Sequence, residues 1–159
     1  MKHITKKFLI KGEKIYLKDI ANNYFDFIRK ERKLGYRQII ISSDILINLL
    51  FSKAQNDGAL IKKIEIQRDD NDVQEYLDSL VEKANLKKDY LNLLIFLKPI
   101  DFSDSIEIKA VKYSYRREKL IEVEVSNNGI VQMNERNDNE SNSLIKFIER
   151  SRKNANKIH

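Results

Sequence analysis

The chain has 159 residues, of which 34% are charged, and its 30 Lys/Arg against 24 Asp/Glu give a formal net charge of +6. This length fits one domain with its own core. The absence of cysteine excludes disulfides, thiol nucleophiles and cysteine metal sites, and with histidine only at His3 and His159 we expect no histidine-based triad or zinc site. No apolar run resembles a signal peptide or approaches the ~20 residues of a membrane span, so we expect a cytoplasmic protein that does not contact membranes.

The first third of the chain predicts a β-hairpin followed by a helix. Residues 8–10 and 14–17 are apolar and flank Gly12, which is typical of a hairpin turn. Apolar residues then recur at helical spacing as far as Leu34. Gly35 is expected to end this helix, because glycine tolerates the left-handed conformation found just beyond helix ends.

A strand-helix-strand-helix-strand order is predicted for the middle of the chain. Ser42-Ser43-Asp44 follows the first of these strands, where a helix cap is the expected role and a ligand site the alternative. The helix after it is apolar nearly all round and should be central. The predicted strands cover residues 36–41, 59–67 and 91–97, the last ended by Pro99, and the helices cover residues 45–56 and 73–87.

An antiparallel meander is predicted near the end of the chain, with strands at 106–115, 120–125 and 130–133. Its second turn is Asn127-Asn128-Gly129, a strong turn sequence. Residues 134–142 contain no apolar side chain and predict a flexible loop. A final helix begins near Leu144 and is followed by a basic tail, residues 152–159, that is expected to fray.

These elements predict a single α+β domain over residues 1–151: a mixed β-sheet with a central βαβαβ portion and a C-terminal antiparallel meander, with helices packed on the sheet. The predicted core residues are Ile20, Phe27, Ile39, Ile41, Leu46, Leu49, Leu50, Leu77, Leu80, Leu93, Ile95, Val123 and Phe147.

The hairpin within the meander has a predicted register, with Tyr115 opposite Ile121. Its apolar face then pairs Tyr113 with Val123 and Val111 with Val125. Its polar face pairs Lys112 with Glu124 and Ser114 with Glu122, so that oppositely charged side chains lie in solvent. The alternation slips at Ala110-Val111, which predicts a bulge.

Asp101, Glu107 and Lys109 form one candidate catalytic cluster. Carboxylates and a lysine are the groups that Mg²⁺-dependent phosphodiester cleavage needs, and side chains two apart on a strand share a face. The order of acid, then Glu-x-Lys, after a helix resembles the PD-(D/E)xK nuclease superfamily over roughly residues 70–155. The resemblance implies a metal-dependent nuclease. A second register, with Glu107 as the first acid and Glu122-Val123-Glu124 as the pair, stays open, as does the purely structural interpretation of the hairpin.

Positive charge is concentrated in the first third of the chain: residues 1–64 carry a net +8, residues 65–104 a net −5 and residues 105–159 a net +3. Tyrosines 16, 24 and 36 are interleaved with the basic residues, a pattern that suits phosphate contact and base stacking. The candidate nucleic-acid-binding residues are Lys6, Lys7, Lys11, Lys14, Lys18, Arg29, Lys30, Arg32, Lys33 and Arg37.

The leading functional hypothesis is a small, non-catalytic accessory protein that binds nucleic acid, or a nucleic-acid-handling protein complex, through its basic first third. One alternative is the Mg²⁺-dependent nuclease built on Asp101, Glu107 and Lys109. Another is a protein-binding subunit whose acidic segment, residues 65–104, docks a basic partner. No cofactor is expected except Mg²⁺ under the nuclease alternative.

Overall fold

The structure, a computed structural model, describes residues 3–21, 23–67, 71–102 and 107–157, without the side chains of 98–102 and 155–157. In chain order the elements are β1 (Ile4–Lys11), β2 (Lys14–Asp19), α1 (Tyr24–Lys33), β3 (Arg37–Gln38), α2 (Ser43–Asp57), β4 (Leu60–Ile66), α3 (Asn71–Lys87), α4 (Leu91–Phe102), β5 (Ile108–Arg116), β6 (Leu120–Ser126), β7 (Ile130–Met133) and α5 (Asp138–Lys157). The predicted α+β class is confirmed. No helix of the described ranges is long and apolar enough to span a membrane.

The chain divides into two compact units. Unit 1 comprises Met1–Ile41 and Asn128–His159, and unit 2 comprises Ser42–Asn127. Each unit contains antiparallel strands with helices packed on them.

Strand β1 organises unit 1. It pairs with β2 along one edge, and with β7 and β3 at successive positions along the other. The predicted hairpin is confirmed, with Gly12 at φ +65° in its turn. Residues 6–10 are buried without interruption, so both faces of β1 are covered. Helix α1 begins at the cap residue Asn23, whose Oδ1 accepts from the backbone N–H of Phe25 at 2.9 Å, and Gly35 follows its end at φ +94° as predicted.

Unit 2 is built on the β4-β5-β6 sheet, with α2 packed against β5 and β4. The predicted β5–β6 register is confirmed from Tyr115↔Ile121 to Val111↔Val125. Leu46, Leu49 and Leu50 of α2 have no exposed surface, which confirms that this helix is central.

The bulge in β5 lies beside the predicted position. Pairing with β6 continues unshifted through Ala110 and Val111. The register shift occurs instead against β4, between Glu65 and Ile66, where Lys109 is the extra residue. Ala110 and Val111 are both buried, as is Ile108.

Two side-chain amides of α3 cover the edge of β4. Asn85 accepts from the backbone N–H of Ile61 at 3.1 Å and donates to its carbonyl at 2.7 Å. Gln74 likewise accepts from the N–H of Ile66 and donates to the carbonyl of Ile64. These bonds replace the partners that another strand would supply, so this edge is closed to strand addition.

Several segments differ from the sequence predictions. The strand predicted at 36–41 is limited to β3, Arg37–Gln38. Residues 91–97 form the start of helix α4, which continues through Pro99, and not an interior strand. A short apolar run has no periodicity that separates a buried strand from a helix. Residues 134–142 were predicted as a loop, but α5 begins at Asp138 because Asn137 Oδ1 accepts from the N–H of Glu140 at 2.9 Å. Helix α5 reaches Lys157, within the predicted tail.

Most of the predicted core is buried. Ile20, Leu80 and Phe147 are half-buried, and Ile95 is 60% exposed, because the helix that replaces the predicted strand turns it outward. The other nine predicted core residues are buried: Phe27, Ile39, Ile41, Leu46, Leu49, Leu50, Leu77, Leu93 and Val123.

Candidate nucleic-acid interface

The excess of positive charge belongs to unit 1. Its two segments contain 17 Lys/Arg and 8 Asp/Glu, a net charge of +9, whereas unit 2 carries a net charge of −3. All ten predicted nucleic-acid-binding residues lie in unit 1, and the structure divides them into buried and exposed groups.

Lys6 and Lys7 of β1 are directed into the unit. Lys7 has no exposed surface; its Nζ donates to the carbonyl of Asn128 at 2.6 Å and lies 5.3 Å from the ring centroid of Tyr24. Lys6 is 6% exposed, with its Nζ 2.9 Å from Asp19 Oδ1. The charges of both lysines are therefore used within the fold.

Asp19 joins the end of β2 to the segment before α5. Its second oxygen accepts from Arg136 Nη2 at 2.8 Å. The hydrogen bonds from Arg136 and then Lys6 hold the pKa of Asp19 below its usual value, and the same bond to Asp19 raises the pKa of Arg136. This carboxylate therefore neutralises part of the unit's charge at neutral pH.

Lys18 is also held internally. Its Nζ donates to Glu31 Oε2 at 2.9 Å and lies 3.7 Å from the ring centroid of Tyr36. Burial lowers the pKa of Lys18, but the hydrogen bonds to Glu31 and Tyr36 together outweigh it and the net shift is upward. Glu31 is itself buried, so α1 turns its acidic residue inward.

Tyr16 and Tyr36 pack edge to face, with centroids 5.3 Å apart, and both are half-buried. Lys14 Nζ lies 5.3 Å from the Tyr16 centroid and Lys11 Nζ 5.1 Å from the Tyr36 centroid. The tyrosine rings that the sequence suggested for base stacking are thus covered by the protein's own ammonium groups.

Helix α1 displays the exposed cations. Arg29, Lys30, Arg32 and Lys33 are all exposed, and within the described ranges none has an ion-pair partner. The helix is oriented this way because Phe27 and Glu31 point inward. Three of the cations also stand in its last turn, where the helix dipole favours positive charge.

The exposed α1 surface continues towards the β1–β2 turn. A shallow depression of about 440 Å³ is lined by Asp26, Arg29, Lys30, Lys33 and Leu34. Beyond it, Lys11 Cε lies 3.4 Å from where a Cβ on Gly35 would stand. Lys11, Lys14 and Arg37 are exposed. We call Lys11, Lys14, Arg29, Lys30, Arg32, Lys33 and Arg37 the α1 basic surface.

Three exposed apolar residues in this region were not anticipated. Phe25 is 70% exposed, Leu34 51% and Ile40 83%. The sequence spacing places Leu34 on the apolar face of the helix and Phe25 outside that face. That offset is the one sequence signal that could have identified Phe25 as exposed.

The candidate nuclease residues lie between the end of α4 and the start of β5. Asp101 lies in α4 with its side chain outside the description, and Glu107 is exposed ahead of β5. Lys109 is 59% exposed, with Nζ 3.7 Å from Glu65 Oε1. No group of three His, Cys, Asp or Glu side chains that could hold a metal ion occurs within the ranges described.

The alternative carboxylates, Glu122 and Glu124, lie on the polar face of the β5–β6 hairpin. They stand opposite Ser114 and Lys112, as the structural interpretation expects. Residues 91–97, which the nuclease resemblance requires as a strand after α3, are helical.

We expect Glu107→Gln and Lys109→Ala each to change the free energy of unfolding by about 0.5 kcal/mol or less, since both side chains are exposed and the ion pair of Lys109 with Glu65 lies at the surface. We also expect no Mg²⁺- or Mn²⁺-dependent cleavage of DNA or RNA by the purified protein. Denaturant titration and a gel-based cleavage assay test this. Cleavage by the unmodified protein that is lost in Glu107→Gln would instead establish the nuclease.

Ser42 and Ser43 begin α2. Ser42 occupies the cap position without a side-chain bond to the helix backbone, and its hydroxyl donates to Asp44 instead. Ser43 Oγ accepts from the N–H of Ile108 at 3.0 Å. The Ser43 bond attaches the start of α2 to β5.

Comparisons with protein-family models, curated proteins and solved structures found no match to this chain. The geometry of the α1 basic surface is therefore the basis for the functional proposal.

Proposed function

We propose that this chain is a cytoplasmic, non-catalytic accessory protein that binds nucleic acid through the α1 basic surface. The observation that carries the proposal is the contrast between two groups of cations in unit 1. Lys6, Lys7 and Lys18 have partners within the fold. The four exposed cations of α1 have no carboxylate partner in the described residues, so they are available to phosphates.

Such a surface binds phosphates by releasing condensed counterions. Each phosphate contact lowers the slope of log K against log salt by about 0.9 on duplex DNA and about 0.7 on a single strand. Three to five contacts would give a slope of about −2 to −3.5 on a single strand. Because contacts to phosphates carry no direct sequence information, little sequence preference is expected.

The experiment measures binding of fluorescently labelled DNA and RNA oligonucleotides of two unrelated sequences by anisotropy, across a salt series. We expect binding at low salt, a slope in the stated range and similar affinities for both sequences. If the protein binds neither nucleic acid nor heparin at low salt, the proposal is wrong.

A second candidate, docking of a basic protein partner by unit 2, is supported by the exposed surface of α4. Leu91, Leu94 and Ile95 are 60%, 37% and 60% exposed and, at positions i, i+3 and i+4, form one apolar stripe. Helix α3, which packs against α4, exposes Glu75 and Glu82. An exposed apolar stripe on α4, together with exposed carboxylates on the helix packed against it, suits an amphipathic basic helix. This candidate replaces the first if the oligonucleotide and heparin experiments find no binding.

A further inference from the structure

An exposed aromatic residue, Phe25, lies at the start of α1. Its ring is 70% exposed at the start of α1, although exposed phenylalanine contributes nothing to phosphate binding. Arg29 and Arg32 follow at i+4 and i+7, on the same line along the helix, and both are exposed. An open aromatic ring is thus aligned with two guanidinium groups.

Phe25 is held in place from two sides. The Asn23 side chain accepts from its backbone N–H at 2.9 Å. Its ring packs edge to face with Tyr24, with centroids 5.7 Å apart at 77°, and the Tyr24 hydroxyl donates to Gln38 Oε1 at 3.3 Å. The ring of Phe25 is therefore positioned before any ligand arrives. It also differs from the rings of Tyr16 and Tyr36 in its accessibility, because lysine ammonium groups lie over those two rings.

From this geometry we infer that the ligand of the α1 basic surface is single-stranded nucleic acid, with one base stacked on the ring of Phe25 and the adjoining phosphates contacted by Arg29 and Arg32. The inference rests on the proposed function. Bases in a duplex are stacked on one another and cannot reach a side-chain ring, whereas every base of a single strand has a free face. Aromatic stacking of this kind has little sequence dependence.

The first test compares a labelled single-stranded oligonucleotide with a hairpin duplex of the same length at equal salt. Phe25→Ala should weaken single-strand binding by about 5-fold to 150-fold, the range of one lost stacking contact, and change duplex binding less than about 2-fold. The salt slope should stay the same, because no charge is removed. The matched control is Leu86→Ala, an exposed apolar residue of α3 in unit 2, which should leave both affinities within about 2-fold.

A second variant makes stacking directly visible. The chain contains no tryptophan, so Phe25→Trp introduces a single indole whose fluorescence reports on its own surroundings. We expect quenching by the single strand and none by the duplex. Tyr76→Trp, at a 56% exposed aromatic position of unit 2, should show no quenching with either ligand.

The inference is overturned if Phe25→Ala weakens duplex and single-strand binding equally or not at all, or if the single strand leaves the fluorescence of Phe25→Trp unchanged. Either result, with salt-dependent binding by the unmodified protein intact, would leave the proposed function standing. A protein that binds neither form at low salt would contradict the proposed function itself.

Discussion

Leu49→Ala is expected to lower the free energy of unfolding by about 2–5 kcal/mol, the range for truncating a buried leucine. Leu49 has no exposed surface and lies in α2, which packs against β5, β4 and α4 in unit 2. Because elements surround this helix, the structure cannot collapse fully around the missing atoms, and a cavity term adds to the lost transfer free energy. Urea titration followed by circular dichroism measures the change.

The neighbouring substitution Asn48→Ala provides the control. Asn48 is exposed on the same helix, so its replacement should alter the free energy of unfolding by about 0.5 kcal/mol or less. A loss below about 1 kcal/mol for Leu49→Ala would contradict the central position of α2 and would indicate that this helix is an interface element.

The elements that the sequence identified correctly are those with two agreeing signals. Helix α2 combines an all-round apolar composition with a Ser-Ser-Asp start and Gly58 at its end, at φ +65°. The β5–β6 hairpin could be placed in register because a one-residue slip would separate Tyr113 from Val123, and the short turn at Arg117-Glu118-Lys119 limits larger shifts. In both cases local preference and burial lead to the same structure.

The sequence predictions are wrong for elements that have only one sequence signal for their secondary structure. Residues 91–97 are apolar without periodicity, and the helix they form packs against α3 and α2, contacts that the sequence does not show. The start of α5 has no apolar residue before Leu144, so the cap residue Asn137 is the only sequence signal for this helix start. The covering of β4 by Asn85 and Gln74 depends on contacts between elements and has no local signature.

The sequence predicts which cations belong to the candidate site, but not which of them form its exposed surface. The sequence shows Lys7 and Lys30 as equivalent members of basic clusters, yet one is fully buried and the other exposed. Their difference depends on which face of β1 meets Tyr24 and the Asn128 carbonyl, both distant in sequence. Charge clustering therefore identifies the unit that carries positive charge, and packing determines which of its charges reach solvent.

The second large effect is expected when Lys30, Arg32 and Lys33 are replaced together by Gln. All three are exposed on α1 without ion-pair partners in the described residues, so the substitution removes phosphate contacts and leaves the packing of Phe27 and Glu31 intact. Affinity for an oligonucleotide should fall on the order of 100-fold to 1,000-fold at ~50 mM salt, from counterion release alone. The slope of log K against log salt should become less steep by about 2–3.

A charge-matched variant separates this local effect from net charge. Lys62, Lys83 and Lys87 are exposed in unit 2, and replacing them by Gln lowers the net charge of the chain by the same three units. If the α1 basic surface is the binding site, this control should keep its slope and bind within about 3-fold of the unmodified protein, since none of its three lysines belongs to that surface. Equal losses in the two variants would show that binding follows net charge alone, and the assignment of the site to α1 would be wrong.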